Sequence, residues 1–276
     1  VKRYRVTKFE FDTRANVLGI KIRDDWKEQV KEHWRFTKRN IRQSILQEFG
    51  VVTAEQKLRN FVDLGVVPFS VVAFHNKFFP QVRSSFIVGS YYPALTGVCA
   101  LGERILNHLI IRLREYYRNT KEYKKVYRKD SFVNWELAID TLESWDVLLP
   151  EVICLYRKLK ELRNKAIHFN PETEQNDREL ALEAIRILSK IIAKQFSSFG
   201  GQPWFIPDTR EIGFIKKEFE SNPFIKEVYL PNSTLLGPLH KTRYDGSRVV
   251  YEDIEYGGEE ITDSEFAKMF RAGHGS

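Results

Sequence analysis

Four helical patterns follow one another between residues 86 and 196, and they constrain the fold more than any other feature of the chain. The first, residues 86–117 (FIVGSYYPALTGVCALGERILNHLIIRLREYY), is almost wholly apolar up to Glu103 and amphipathic beyond it. A helix apolar on all sides must be enclosed on all sides. Pro93 fits near its start or kinks it. The second pattern, residues 135–149, puts Leu137, Ile139, Leu142, Trp145 and Leu148 on one side. Pro150 opens the third, where a missing N–H costs nothing. That helix must stop near Phe169, because Asn170 precedes Pro171 and is biased out of helix. The fourth, residues 177–196, carries Leu180, Ala184, Ile187, Leu188, Ile191 and Ile192 on its apolar side. The series predicts a mainly α fold.

With 276 residues the chain has room for one large or two modest domains. In residues 8–22 (KFEFDTRANVLGIKI), alternating runs flank a polar DTRAN, a pattern that predicts a β-hairpin. Asp24 and Asp25 then precede a helix with Trp26, Val30, Trp34, Ile41, Ile45 and Phe49 on one side and Arg35, Lys38, Arg39 and Arg42 on the other. The basic side reads as a solvated face before an RNA contact. Gly50 is its stop. Residues 54–82 read as a short helix and an aromatic, packed loop, with a lone structural His75. Gly200, Gly201 and Pro203 mark a boundary. Beyond it come a strand over residues 248–256, a turn at Gly257–Gly258 and a last helix over residues 264–270 capped by Asp263. The expected organisation is an N-terminal hairpin and basic helix (1–82), the helical region (83–200) and a small mixed α/β extension (201–276).

Lys and Arg number 44 against 37 Asp and Glu, giving a formal charge of +7. That balance lowers the cost of approaching nucleic acid or an anionic surface. Residues 121–130 (KEYKKVYRKD) interleave cations with aromatics, as a strand-binding segment would, although a solvated linker is the simpler reading. Cys99 and Cys154 both fall in apolar helical patterns and read as small core residues in a reducing compartment. No residue cluster has metal-ligand spacing, and no cofactor is implied. The most apolar run, residues 91–102, is shorter than the roughly twenty residues a membrane span needs. A cytoplasmic protein with no membrane partner is expected. No phosphate-binding glycine loop, nucleophile elbow or HExxH motif is present.

One stretch breaks the apolar logic. On a wheel of the third helix, Val152, Ile153, Leu155, Tyr156, Leu159, Leu162, Ala166 and Ile167 cover one broad arc, and Arg163 falls near its centre. A guanidinium there must be paired or face something other than a dry core. His168 lies five residues on, about 140° around an ideal helix, so one chain does not readily aim both side chains at one point. A twofold pair of such helices would bring two Arg and two His around one groove. The alternative is packing: Arg163 pairs with Glu103 or another carboxylate, and His168 caps the helix end, where a cation is favoured. Glu103 and Asn107, one helical turn apart, either line the same groove or serve as packing polar groups.

The segment R-N-K-A-I-H at Arg163–His168, together with the order of the four blocks, resembles the HEPN superfamily and its R-x4-6-H signature, including the polar residue after the arginine, here Asn164. The resemblance covers residues 86–199. It implies a four-helix bundle that dimerises through the motif helices, and a metal-independent ribonuclease of toxin–antitoxin, phage-defence or RNA-processing type. Arg163, His168 and Asn164 would be its catalytic residues and Glu103 and Asn107 accessory ones. RNA and a second copy of the chain would be partners, with an antitoxin or regulatory protein as a further candidate. Some members of the family have lost catalysis, which leaves a non-catalytic nucleotide-, RNA- or protein-binding module as the alternative.

Overall fold

The computed structural model describes residues 1–167, 175–209, 212–246 and 248–274. The chain is mainly helical, with small sheets. Its contacts form two compact units, one of residues 10–68 and 74–195 and the other of residues 1–9, 69–73 and 196–276. This grouping differs from the three consecutive segments expected, because pairing between chain ends overrides order along the sequence.

In the larger unit the four anticipated helices are present: α5 (Tyr91–Leu113), α7 (Trp135–Ser144), α8 (Pro150–Ile167) and α9 (Asp177–Gln195). A short helix, α4 (Phe79–Ile87), precedes them. The first helix therefore does not begin at Phe86 as one piece. Gly89, at φ +90°, breaks it, a conformation open to glycine at no steric cost. Pro93 then sits in the first turn of α5. Helices α4, α7, α8 and α9 all pack on α5, which buries Leu95, Val98, Leu101, Ile105, Leu106, Leu109 and Leu113. The segment Tyr91–Tyr117 is long and apolar enough by length and composition to cross a membrane; here its apolar faces are covered by these neighbours. Asn134 caps α7 by accepting the Leu137 N–H. On α8, Val152, Tyr156, Leu159 and Ala166 are buried. Cys99 is buried but Cys154 is exposed, which corrects its placement in the core: it lies opposite the α8 arc that Val152, Tyr156 and Leu159 occupy.

Ahead of the bundle, α1 (Arg14–Gly19), α2 (Glu28–Phe49) and α3 (Ala54–Leu64) belong to the same unit. The hairpin expected over residues 8–22 is absent. Only its first arm is a strand, β2 (Phe9–Asp12), and that strand pairs with β3 (Val67–Val71). The second arm is helix because the Asp12 carboxylate accepts the Arg14 backbone N–H at 2.9 Å and also binds the Arg14 guanidinium, which reaches Glu48 at 2.9 Å. The polar DTR thus starts a helix instead of turning a hairpin. Gly50 (φ +85°) ends α2 as anticipated, its N–H donating to the Leu46 carbonyl. The Lys57 ammonium, itself buried, donates to the Phe49 and Gly50 carbonyls. Of the apolar side expected on α2, only Ile45 is buried. Three cations of its basic side are engaged: Arg35 with Glu28, Arg42 with Glu55, and Lys38 with the Leu18 and Ile20 carbonyls.

His75 is enclosed in this unit at 2% exposure, and burial pushes its imidazole down to about 3. The unfolded chain therefore binds a proton that the folded chain refuses. Its contribution is complete above about pH 6.5 and is lost as pH falls, at about 1.4 kcal/mol per unit. Urea unfolding at pH 7 and pH 5 is expected to show a loss of this sign, reduced in His75→Gln. Equal losses in the two proteins would refute the assignment.

The smaller unit joins distant parts of the chain. Strand β1 (Arg3–Val6) pairs antiparallel with β4 (Ser233–Leu236), Arg3 opposite Leu236. Strands β5 (Lys241–Tyr244) and β6 (Val249–Glu252) form an antiparallel pair within the region where one strand was expected. Helix α10 (Asp263–Gly273) packs Phe266 and Phe270 against Ile206, Phe214 and Leu236. Its cap is Thr262, in a reciprocal box with Glu265, and not Asp263. Asp263 is engaged by Arg3 instead.

Candidate active site

Helix α8 delivers Arg163 one turn before its end, facing α5 and α7. The side chain is 18% exposed, and its Nη2 lies 3.2 Å from Glu103 Oε2. The same oxygen accepts the Trp135 indole N–H at 2.9 Å. The guanidinium stands over the Trp135 ring, 5.7 Å from its centroid. A partly buried cation thus finds a carboxylate and a π-face, each supplied by a different helix. The pairing of Arg163 with Glu103 is the one that the packing alternative named. Such a contact also directs a guanidinium, since Glu103 cannot turn away while Trp135 holds it.

Asn107 lies one turn along α5 from Glu103. Its amide donates to the Glu103 and Phe132 carbonyls at 2.8 and 3.1 Å, and its oxygen accepts the Phe132 N–H at 2.6 Å. These bonds pin the connection between α5 and α7 and make Asn107 a packing residue here. Asn164 is exposed on α8 and does not join the cluster. His168 lies outside the described residues. An open groove of about 260 Å³ adjoins the cluster, with Glu103, Asn107 and Ile111 on one wall and Asp130 and Ser131 on another. Cys99, close enough to feel the Arg163 charge, has its thiol pushed up to about 12 by burial, so it stays protonated and is no nucleophile. Among the described residues no three His, Cys, Asp or Glu side chains are placed to hold a metal ion.

Trp135 escaped the sequence reading, which took it only as the start of a helix. The signal was Gly102, a glycine next to Glu103 in an otherwise apolar run. A Cβ there would stand 2.8 Å from Trp135 Cη2 and 2.9 Å from Leu159 Cδ2. The glycine lets the indole lie against α5 with its N–H aimed at Glu103. Gly102→Val should therefore overpack the site at a cost of about 2–3 kcal/mol and shift the Trp135 fluorescence. An unchanged denaturation midpoint would show that the indole has room to move.

The basic connection between α5 and α7 is folded. It contains a short helix, α6 (Tyr123–Val126), with Val126 fully buried, and Arg114 donates to the Val126 and Lys129 carbonyls. Its cations Lys121, Lys124, Lys125, Arg128 and Lys129 are exposed, as the solvated reading expects, while the backbone is ordered because those carbonyls need a donor and Arg114 supplies it. Compared with protein-family models, curated proteins and solved structures, the chain finds no match.

Proposed function

We propose that the chain is a metal-independent endoribonuclease of HEPN type, acting as a homodimer through α8. The observation that carries this reading is Arg163: a cation at the centre of an apolar helix face, held by Glu103 and Trp135, five residues before His168. The order of α5, α7, α8 and α9 around it agrees with the order of blocks that the resemblance rests on. In the proposed reaction His168 takes the proton of an RNA 2′-hydroxyl, whose oxygen attacks the adjacent phosphorus. The P–O bond to the 5′ oxygen breaks, and that oxygen leaves as a 5′-hydroxyl after taking a proton from water. Arg163 stabilises the charge gathering on the phosphorane oxygens, with Glu103 fixing its direction. Asn164, being exposed, is available to orient a phosphate. A role in phage defence or as the toxin of a toxin–antitoxin pair, in the cytoplasm, fits this chemistry, with an antitoxin or regulatory protein as a further partner.

The ion pair to Glu103 also favours a second reading. An arginine already neutralised can pin helices in a non-catalytic module that binds RNA, a nucleotide or a protein. The two readings part when purified protein meets an RNA carrying one deoxynucleotide at a mapped cut site. The nuclease loses that cut and keeps the others. A binding module retains the RNA and yields no products with any substrate.

A further inference from the structure

Beside the Arg163 cluster, α5 carries a second charged feature. Arg104, His108 and Arg112 recur every four residues, so they lie along one stripe about 6 Å apart at 1.5 Å per residue. Arg104 and Arg112 are exposed and His108 is partly so. Two arginines on one helix face, with only an imidazole between them, repel each other, and proteins commonly relieve that with carboxylates, as this one does at Arg14, Arg114 and Arg157. Among the described residues neither Arg104 nor Arg112 has a carboxylate within ion-pair distance. Aromatic rings hold them instead. The Arg104 guanidinium lies over Phe78 at 4.8 Å and that of Arg112 over Phe74 at 5.1 Å. The His108 ring stacks on Phe74 with centroids 4.9 Å apart and planes 11° apart. Burial and the two arginines together depress the His108 pKa, as expected where positive potential is not compensated. The rings fix the directions of the cations while leaving their charge unspent.

The stripe runs into the groove already described. Arg104 and His108 line it together with Glu103, the partner of Arg163. Asp130 is exposed at the far wall, and Glu103 is committed to Arg163 and Trp135.

We infer that Arg104, His108 and Arg112 bind successive phosphates of a single-stranded RNA and lead the strand along α5 to Arg163. The identity of the strand as substrate rests on the nuclease reading above. The spacing of the three groups is that of neighbouring phosphates on an extended strand. Phe74 and Phe78 are covered by the protein's own cations, so recognition goes through the backbone and tolerates any sequence.

The test is fluorescence anisotropy of the full chain with a single-stranded RNA methylated at every 2′-hydroxyl, which cannot be cut, at several salt concentrations. R104E/R112E should bind at least about tenfold more weakly, and its salt slope should fall by about 1.4, as for two lost phosphate contacts at about 0.7 each. R104K/R112K, which keeps the charge, should remain within about threefold of wild type. K190E/K268E makes the same change in net charge at exposed lysines elsewhere and should also stay within about threefold. Wild-type affinity in R104E/R112E, an equal loss in K190E/K268E, or no binding by the wild type would each overturn the inference. Cleavage of unmodified RNA is scored separately. Binding that depends on the stripe without cleavage sinks the nuclease reading alone; cleavage and binding indifferent to the stripe sink this inference alone.

Discussion

On the proposed reading, His168→Ala is expected to abolish RNA cleavage, at least about a hundredfold down from wild type, while leaving the fold and the proposed dimer in place. The loss of a positioned base commonly costs 10²–10⁴-fold. Arg163→Lys is the sharper companion. Lysine keeps the charge and can still reach Glu103, but it lacks the planar fork that meets two phosphorane oxygens. Cleavage is expected to fall by about 10²–10³, the scale of losing an oxyanion donor, with stability changed by less than about 1 kcal/mol. Arg163→Ala should add a stability loss of about 1–2 kcal/mol, because Glu103 would keep only the Trp135 N–H. Single-turnover cleavage read beside urea unfolding separates the two effects. Full activity in Arg163→Lys would mean that charge alone suffices and that the packing role explains the residue.

Arg3→Ala is expected to cost the smaller unit about 3 kcal/mol. Arg3 is 1% exposed, and four of its five guanidinium N–H donors are engaged. Nε donates to Asp263 at 2.7 Å, Nη1 to Glu260 at 3.1 Å and to the Lys2 carbonyl at 3.0 Å, and Nη2 to the Ile261 carbonyl at 2.5 Å. It also lies over the Phe266 ring at 5.8 Å. Truncation leaves a void and strips the part-buried Ile261 carbonyl of its donor. Breaking a fully buried pair costs about 3–5 kcal/mol, and the value here falls at the lower end because Asp263 and Glu260 regain water at 26% and 60% exposure. Hydrogen exchange should report the loss at α10 and β4, with α5 and α8 unaffected. Equal loss in the bundle would show that the two units unfold together.

Local chemistry was legible in the sequence wherever one residue decides the backbone. Asn134, Pro150 and Gly50 mark helix ends that the structure places where their side chains or φ values require. Pairing across the chain was not legible. Nothing near Arg3 announces Ser233–Leu236 as its strand partner, and the alternation in residues 8–22 suits a hairpin until Asp12 takes the Arg14 N–H. Helix periodicity also overstates burial at an edge: α2 has an apolar side, yet only Ile45 on it reaches the core. At the candidate site, Arg163 was visible as an anomaly because a charge interrupts an apolar arc. Glu103 was visible only as one partner among several. Trp135 was hidden, because its role depends on the room Gly102 leaves across the helix interface.

A 2′-hydroxyl attack without metal leaves its mark at the ends of the products. Purified protein is incubated with a single-stranded RNA in excess EDTA, and the fragments are weighed by mass spectrometry. Fragments ending in 2′,3′-cyclic phosphate are expected, each matched by one beginning with a 5′-hydroxyl, and none with His168→Ala. Fragments ending in 3′-hydroxyl, or cleavage that EDTA stops, would contradict a metal-free 2′-hydroxyl attack.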